Sequence, residues 1–186
     1  MDGWRGRLLV ATPAIVGGVF ARSVVILLDH DGDGALGVIV NRPLESEVHH
    51  LLPEWSGSVT SPTLLFQGGP VGLDSALAVG VLADPAPSAG PPAGFRPMAG
   101  RIGLVDLDGP PPEPQAFAGL RVFAGYAGWG PGQLEAEVEE GSWLVLDAEP
   151  GDLMSRHPDS LWHDVVRRQP GDLRFWATLP EDPSEN

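Results

Sequence analysis

The sequence contains no cysteine. Disulfides, zinc–thiolate sites and iron–sulfur clusters are therefore excluded, and so is thiol redox chemistry within this chain. The absence fits a reducing compartment.

Positive charge is also scarce, because 11 Lys and Arg stand against 25 Asp and Glu, for a net charge of −14. Nucleic-acid binders usually present a basic face, since phosphate contacts supply most of their affinity. The one tight basic cluster here is Arg167-Arg168. The composition therefore argues against direct binding of DNA, RNA or anionic membranes.

No apolar run reaches the ~18 uninterrupted residues of a membrane span. The mostly apolar run Leu8–Phe20 follows two arginines and has the outline of a secretion signal. Pro13 and the Gly17-Gly18 pair interrupt it. We therefore favour a buried strand over Leu8–Thr12 and predict a cytoplasmic protein.

What the chain does have is length, glycine and proline. Its 186 residues fit one domain, and 25 glycines and 20 prolines indicate many turns and few long helices. We predict one domain over 1–186, with loops at 84–94 and 109–114 and a polar tail at 181–186.

The order of elements favours an α+β fold with a mixed or curved sheet. Ser23–His30 is a continuous apolar run, Asp31–Gly34 a turn and Ala35–Leu44 a second strand, which together predict an antiparallel hairpin. Gly37 indicates a bulge or a close backbone contact in the second strand. Further strands are predicted at Arg7–Thr12, Thr63–Gly69, Ser75–Ala83, Ala99–Asp108, Leu120–Trp129, Ser142–Glu149 and, as a strand or extended segment, Asp172–Pro180.

Helices are predicted to be short. One helix or turn is expected at Glu47–Trp55 and one helix at Gln133–Val138. The longest should follow His157-Pro158-Asp159, because Pro and an acid favour a helix start, and Gln169-Pro170-Gly171 should end it. Its apolar residues at helical spacing are Leu161, Trp162, Val165 and Val166.

The stretch Gly125–Trp143 resembles a phosphate-binding loop only in part. Gly128 and Gly130 supply G-x-G, but Gln133 stands where the third glycine is needed. Glutamates in the first turns of the following helix would repel a phosphate there. The stretch is better interpreted as a structural corner that joins strand, helix and strand.

In this corner, Gly132 suits the N-cap, and Gly141 ends the helix. Leu134 and Val138 lie on one helix face. Tyr126 and Trp129 precede the helix and can pin the loop to the core. Each carries a polar group that needs a hydrogen-bond partner.

Several motifs together resemble the YqgE/AlgH family of bacterial proteins. They are RLLVATP, RSVV, GALGVIVNRP, GGPV and GYAGWGPGQLEAE, in this order, and the resemblance runs from Arg7 to about Arg168. The ending departs from the family's commoner one. The resemblance implies a single α+β domain with a strongly bent, partly barrel-like sheet flanked by short helices, in the cytosol. The family is largely uncharacterised, although some members have been called regulators of transcription.

The segment from Ser23 to Val40 suggests two functional arrangements, a catalytic triad and a calcium-binding loop. Ser23 and His30 lie at opposite ends of one strand, ~23 Å apart at about 3.3 Å per residue, so they cannot form a triad with Asp29. The aspartates of DHDGDGALG suggest a calcium loop, but Val40 occupies the position that requires glutamate. A hairpin turn explains this segment better.

His49, His50 and Glu54 are a further possible metal set. Adjacent histidines should point in different directions, and no second cluster supports them. We therefore expect two exposed loop histidines, and we predict neither a metal nor a cofactor.

Asn41-Arg42-Pro43 ends a strand with an amide and a guanidinium at a sheet edge, where Pro43 cannot donate a hydrogen bond. One interpretation is turn chemistry with a surface ion pair. The other is a cleft that recognises a carboxylate or phosphate, with Arg22 as a second cation and Gly68-Gly69-Pro70 lending backbone N–H groups.

No nucleophile–base pair or cofactor loop emerges, so we favour a non-enzymatic binding or regulatory protein that contacts an unknown protein or small molecule through its loops. The alternative is an enzyme or a small-anion or nucleotide binder, in which Arg42 binds the anion, Glu135 acts as acid or base, and Asn41 orients. The predicted ligand-binding residues are Asn41, Arg42, Gly68, Gly69, Tyr126, Trp129, Gln133 and Glu135.

Overall fold

Ten strands form one curled sheet in the computed structural model, which describes residues 3–86 and 88–179. The strands are β1 (Leu8–Ala11), β2 (Val24–Asp31), β3 (Gly34–Ile39), β4 (Pro43–Glu47), β5 (Leu64–Gln67), β6 (Val71–Leu82), β7 (Phe95–Ala99), β8 (Ile102–Val105), β9 (Phe117–Trp129) and β10 (Trp143–Leu146).

The helices in this part of the chain are short, as predicted. The α-helices are α1 (Val48–Leu51), α2 (Gln133–Glu139), α3 (Pro150–Leu153) and α4 (Leu161–Arg167). The 3₁₀ segments are Pro53–Trp55, Pro114–Ala116, Pro158–Ser160 and Gly171–Thr178.

The 13-residue strand β9 joins the two halves of the sheet. The neighbours run in the order β10-β1-β2-β3-β9-β6-β8-β7, and β5 lies against β9 as well as β4. The β5–β9 pair is parallel and the other pairs are antiparallel, so the sheet is mixed. This curled half-barrel with few helices confirms the predicted α+β class.

The predicted hairpin is present as β2 and β3. Asp31 pairs with Gly34 at the turn, and the register shifts between Leu27 and Asp29. A Cβ on Gly37 would lie 2.7 Å from the carbonyl oxygen of Ile26, which confirms the close backbone contact expected there.

The second strand of the hairpin is shorter than predicted. It ends at Ile39, and the chain resumes as β4 beside β5. The break has two causes. Pro43 has no N–H to donate, and the Asn41 side chain takes the hydrogen bond of the Val24 N–H.

The helices cover apolar patches on the sheet. Leu161, Trp162, Val165 and Val166 of α4 are buried against a core that includes β1, β2 and β9, as their spacing predicted. On another patch, Leu134 of α2 packs with the indoles of Trp129 and Trp143. Trp55 fills a third patch beside β6, β8 and β9.

Two predictions about strands were wrong. The edge strand β7 was missed because Pro97 interrupts its sequence pattern, although an edge strand tolerates a proline. The segment predicted as extended at Asp172–Pro180 is 3₁₀ helix over Gly171–Thr178, where Trp176 packs against the core near α4. Pro180 and the tail at 181–186 lie outside the described residues.

The α-helix after His157 was predicted to be the longest, but α2 equals it, since α2 and α4 both have seven residues. Within residues 3–86 and 88–179, no helix is long and apolar enough to cross a membrane.

Candidate functional site

A cleft of about 570 Å³ lies between the loop after β1, the turn after β3 and the start of α4. Its polar lining includes Arg22, Arg42 and His163, with Asp159 as an acidic member. Ile15 and Val16 contribute apolar surface, and the Val16 side chain is 73% exposed. The described lining therefore combines two guanidinium groups and an imidazole with an apolar wall.

Asn41 holds the backbone that carries Arg22. Its Oδ1 accepts a hydrogen bond from the Val24 N–H at 2.9 Å, and its Nδ2 donates to the Arg22 carbonyl at 2.9 Å. The residue is only 4% exposed. Asn41 thus positions the wall of the cleft, because both ends of its amide are bonded to the protein.

Arg22 has a φ of 54°, and it is the only non-glycine residue with positive φ in the described chain. Such a conformation costs roughly 1–3 kcal/mol and persists only where the surroundings enforce it. The Arg22 guanidinium lies 4.6 Å from the ring centroid of Trp162. It also contacts His163 Nε2 at 3.2 Å and donates to the Leu179 carbonyl at 3.0 Å.

Arg42 lies on the same cleft and stabilises the loop that carries Arg22. Its guanidinium donates to the carbonyls of Ala21 and Asn41. Because all 11 cationic side chains of this protein are arginines, its cation sites present planar forks that match carboxylate and phosphate groups. Two of these guanidinium groups, those of Arg22 and Arg42, line the cleft.

Gly68 and Gly69 are not in the described lining of the cleft and lie where β5 passes β9. A Cβ on either would collide with the β9 backbone, at Gly125 for Gly68 and at Tyr126 for Gly69. Both glycines therefore serve close strand packing, and the Tyr126 ring is half-buried against the core next to them.

The corner at α2 joins strand, helix and strand, as predicted. Gly132 is the N-cap with a φ of 73°. Glu137 Oε2 accepts hydrogen bonds from the indole N–H groups of Trp129 and Trp143, both at 2.9 Å. Gln133 donates to Glu137 Oε1 at 3.1 Å and accepts from the Gly130 N–H at 3.0 Å. Trp129 and Gln133 thus have partners within the corner.

Glu135 pairs with His30, which the sequence analysis considered as a member of a catalytic triad. The Glu135 Oε1 to His30 Nε2 distance is 2.7 Å, and His30 is 6% exposed. His30 Nδ1 accepts the Trp4 N–H at 2.9 Å, so Nε2 carries the proton that is donated to Glu135.

The pKa of Glu135 is lowered, first by a backbone hydrogen bond at Glu135 and then by the hydrogen bond from His30. A general acid or base works best with a pKa near the operating pH. The shift moves Glu135 away from that range. Its observed role is to bind the start of α2 to the end of β2.

Replacing Glu135 with alanine is expected to reduce the free energy of unfolding by about 1 kcal/mol at neutral pH, because the pair is partly exposed. The folded pKa lies below the ordinary value of 4.5. The contribution is therefore present above that value and is lost as the pH falls through the folded pKa. Urea unfolding at neutral pH and at about pH 3 should show the gap to wild type shrinking in acid. A gap of equal size at both would contradict this account.

The predicted site residues divide into two groups. Asn41 and Arg42 line the cleft, whereas the other six do not appear in its described lining. The length of β3 separates the corner residues from the cleft, since Ala35 near its start pairs with Trp129 and Asn41 follows its end. Gly68 lies at that same end, where its carbonyl accepts the Ile39 N–H, but outside the described lining. Sequence reasoning named Arg22 as a second cation but missed His163, which comes from α4.

A third cluster differs from expectation. Glu47, His49 and His50 bring one ligand atom each to within 4.8 Å of one another, and this is the one such group found in the described residues. The two imidazole centroids are 4.0 Å apart, so the prediction that these side chains diverge was wrong. Glu54 is not part of the cluster, because Glu47 at the end of β4 takes that place.

The sequence matches a described protein family over most of its length. The profile of a family described as AlgH-like matches residues 8–174. A UPF0301 protein of Streptomyces coelicolor is 54% identical over 182 residues, or 97% of this chain and 94% of that protein. A UPF0301 protein of Mycobacterium tuberculosis is 43% identical, with 97% and 90% covered.

Two solved structures are similar to this fold. A crystal structure of protein DIP2367 from Corynebacterium diphtheriae has a TM-score of 0.87 at 36% identity, covering 94% of this chain and 92% of that one. The solution structure of the AlgH protein from Pseudomonas aeruginosa has a TM-score of 0.67 at 24% identity, covering 96% and 95%. The second similarity concerns the fold alone.

Proposed function

The chain belongs to the AlgH-like family, and we propose that it is a non-enzymatic binding protein that takes a small organic anion in the cleft beside Arg22, Arg42 and His163. The observation that carries the proposal is the left-handed backbone of Arg22. A glycine or asparagine would adopt this conformation with less strain. Strained residues of this kind cluster at ligand sites, where the strain is part of a preorganised geometry.

The chemistry of the lining defines the ligand class. Guanidinium forks bind carboxylate and phosphate oxygens through paired hydrogen bonds. Ile15 and the exposed Val16 favour an apolar group attached to that anion. We therefore expect an organic carboxylate or phosphate rather than a bare inorganic ion.

The enzymatic alternative has less support. It assigns acid–base chemistry to Glu135, which pairs with His30 away from the described lining of the cleft and has a lowered pKa. It assigns orientation of a substrate to Asn41, whose amide is already bonded to Val24 and Arg22. Binding of an anion alone uses the residues that line the cleft and requires no additional catalytic group.

A regulatory role in the cytoplasm follows as part of the proposal. The absence of cysteine suits a reducing compartment. The net charge of −14 disfavours direct binding to DNA. The bound anion would thus influence a protein partner, and any effect on transcription would pass through that partner.

Three probes test the ligand class by thermal shift: inorganic phosphate, hexanoate and adenosine monophosphate. A ligand at about 100 times its Kd stabilises by about 2.7 kcal/mol, which corresponds to roughly 5–10 °C for a chain of this size. We expect hexanoate or the nucleotide to exceed phosphate, because each adds apolar contact to the anion.

The test variant is Arg22→Asn, since asparagine tolerates positive φ and the guanidinium is lost without added backbone strain. Arg156→Asn is the matched control at an exposed site. The proposal predicts that only Arg22→Asn abolishes the ligand-induced shift. No shift with any of the three probes, or an equal shift in both variants, would contradict it.

A further inference from the structure

The cluster of Glu47, His49 and His50 lies at the junction of β4 and α1 and shares no residue with the described lining of the cleft. Glu47 Oε2 is 2.7 Å from His49 Nδ1, and the Glu47 and His49 side chains are 47% and 50% exposed. The His50 ring lies beside that of His49. Three potential ligands thus converge at one accessible point.

The backbone beneath these side chains is fixed on both sides. Glu47 pairs with Leu64 of β5, and the next residue, Val48, is fully buried. The Val48 N–H donates to the Thr63 carbonyl at 3.0 Å, and its own carbonyl accepts the Leu52 N–H at 2.7 Å. A site on such a base is preorganised, so binding requires movement of side chains only.

We propose that Glu47, His49 and His50 bind a zinc ion. Two histidines and a glutamate are a ligand set that zinc uses with a fourth position left to water or another molecule. Bond lengths of about 2.0–2.2 Å place tetrahedral ligand atoms about 3.4 Å apart. Ligand atoms within 4.8 Å of one another therefore need to close by at most about 1.4 Å, while the Glu47–His49 contact opens slightly from 2.7 Å.

Electrostatics favour a cation here. The protein carries a net charge of −14, which raises the local concentration of divalent ions around it. The same charge creates a competing explanation, namely diffuse binding to surface carboxylates. The histidines distinguish the two, because imidazole favours zinc whereas carboxylates alone favour magnesium and calcium.

The test is titration of the full chain with zinc chloride by calorimetry. Single variants His49→Asn, His50→Asn and Glu47→Gln each remove one ligand, and His157→Asn removes another exposed histidine as a control. We expect one zinc per chain in wild type and in the control. Each site variant should lose about tenfold or more in affinity, and the proposed ligands are exposed enough that melting temperatures without metal should stay close to wild type.

Cobalt(II) provides a second readout, since its visible absorption is much stronger in a four-coordinate site than in the six-coordinate aqua ion. The bands should appear at one equivalent in wild type and in His157→Asn and should fall in the site variants. Several weak zinc sites that are indifferent to His49 and His50 would overturn the proposal. So would cobalt spectra that are the same in all variants.

Discussion

Arg121→Ala is expected to lower the free energy of unfolding by about 4 kcal/mol, because it leaves a cavity and deprives backbone carbonyls of their hydrogen-bond donor. Arg121 lies in the middle of β9 and is 1% exposed. Its guanidinium donates to the carbonyls of Ser61 at 2.7 Å, Leu153 at 2.5 Å and Ser155 at 2.6 Å. It thereby ties two separate segments to the sheet, one at Ser61 and one at Leu153 and Ser155.

The buried charge of Arg121 offsets part of the stability that its hydrogen bonds contribute. Burial lowers the pKa of Arg121 to about 10, so the charged side chain is less well solvated in the fold than in water. Its contact with the Phe66 ring, 4.6 Å from the centroid, offsets some of that loss. Arg121→Met keeps most of the volume and removes the buried charge, so its expected cost is about half that of alanine.

Urea unfolding measures both variants, with the exposed Arg156→Ala as control, for which a change within about 0.5 kcal/mol is expected. An Arg121→Ala protein as stable as the Arg156→Ala protein would refute this role for the buried guanidinium.

Glu137→Ala is the second large effect, and we expect a loss of about 3 kcal/mol. The carboxylate is the shared acceptor of two indole N–H groups, and both indoles are at least 93% buried, since Trp129 is 7% and Trp143 3% exposed. Hydrogen bonds to a charged group contribute about 1.5–3 kcal/mol, and an unpartnered buried donor costs about 1–3 kcal/mol.

Two companions isolate the carboxylate. Glu137→Gln retains a neutral acceptor and should lose less than alanine. Glu139→Ala removes an exposed glutamate from the same helix and should change stability little. Denaturation followed by tryptophan fluorescence measures all three, and equal stabilities of Glu137→Ala and Glu139→Ala would exclude the shared-acceptor role.

The parts of the fold that could be predicted depend on local patterns. The β2–β3 hairpin follows from an apolar run, a DGDG turn and a second apolar run, and α4 follows from the spacing of Leu161, Trp162, Val165 and Val166. The strand β7 and the 3₁₀ segment Gly171–Thr178 could not be predicted in this way. Their conformations depend on an edge position in the sheet and on packing beside α4.

The candidate site depends even more on contacts that the local sequence pattern does not specify. Arg42 could be singled out, because it ends a strand beside a proline, and Arg22 because cations are few. Nothing in the identity of Arg22 predicts positive φ, since asparagine and glycine are the residues that favour it. The partner of Glu135 lies 105 positions away at His30, and the convergence of His49 on Glu47 depends on side-chain directions.

The central claim, an anion bound between Arg22 and Arg42, is tested most directly by NMR of the arginine Nε–Hε groups. The chain has 11 arginines and no lysine, so every side-chain cation is observable as a guanidinium. Hexanoate, phosphate and adenosine monophosphate are titrated in turn. We expect saturable shifts at Arg22 and Arg42, with Arg121 and Arg156 unchanged. Saturable shifts at other arginines only, or none with any probe, would contradict it.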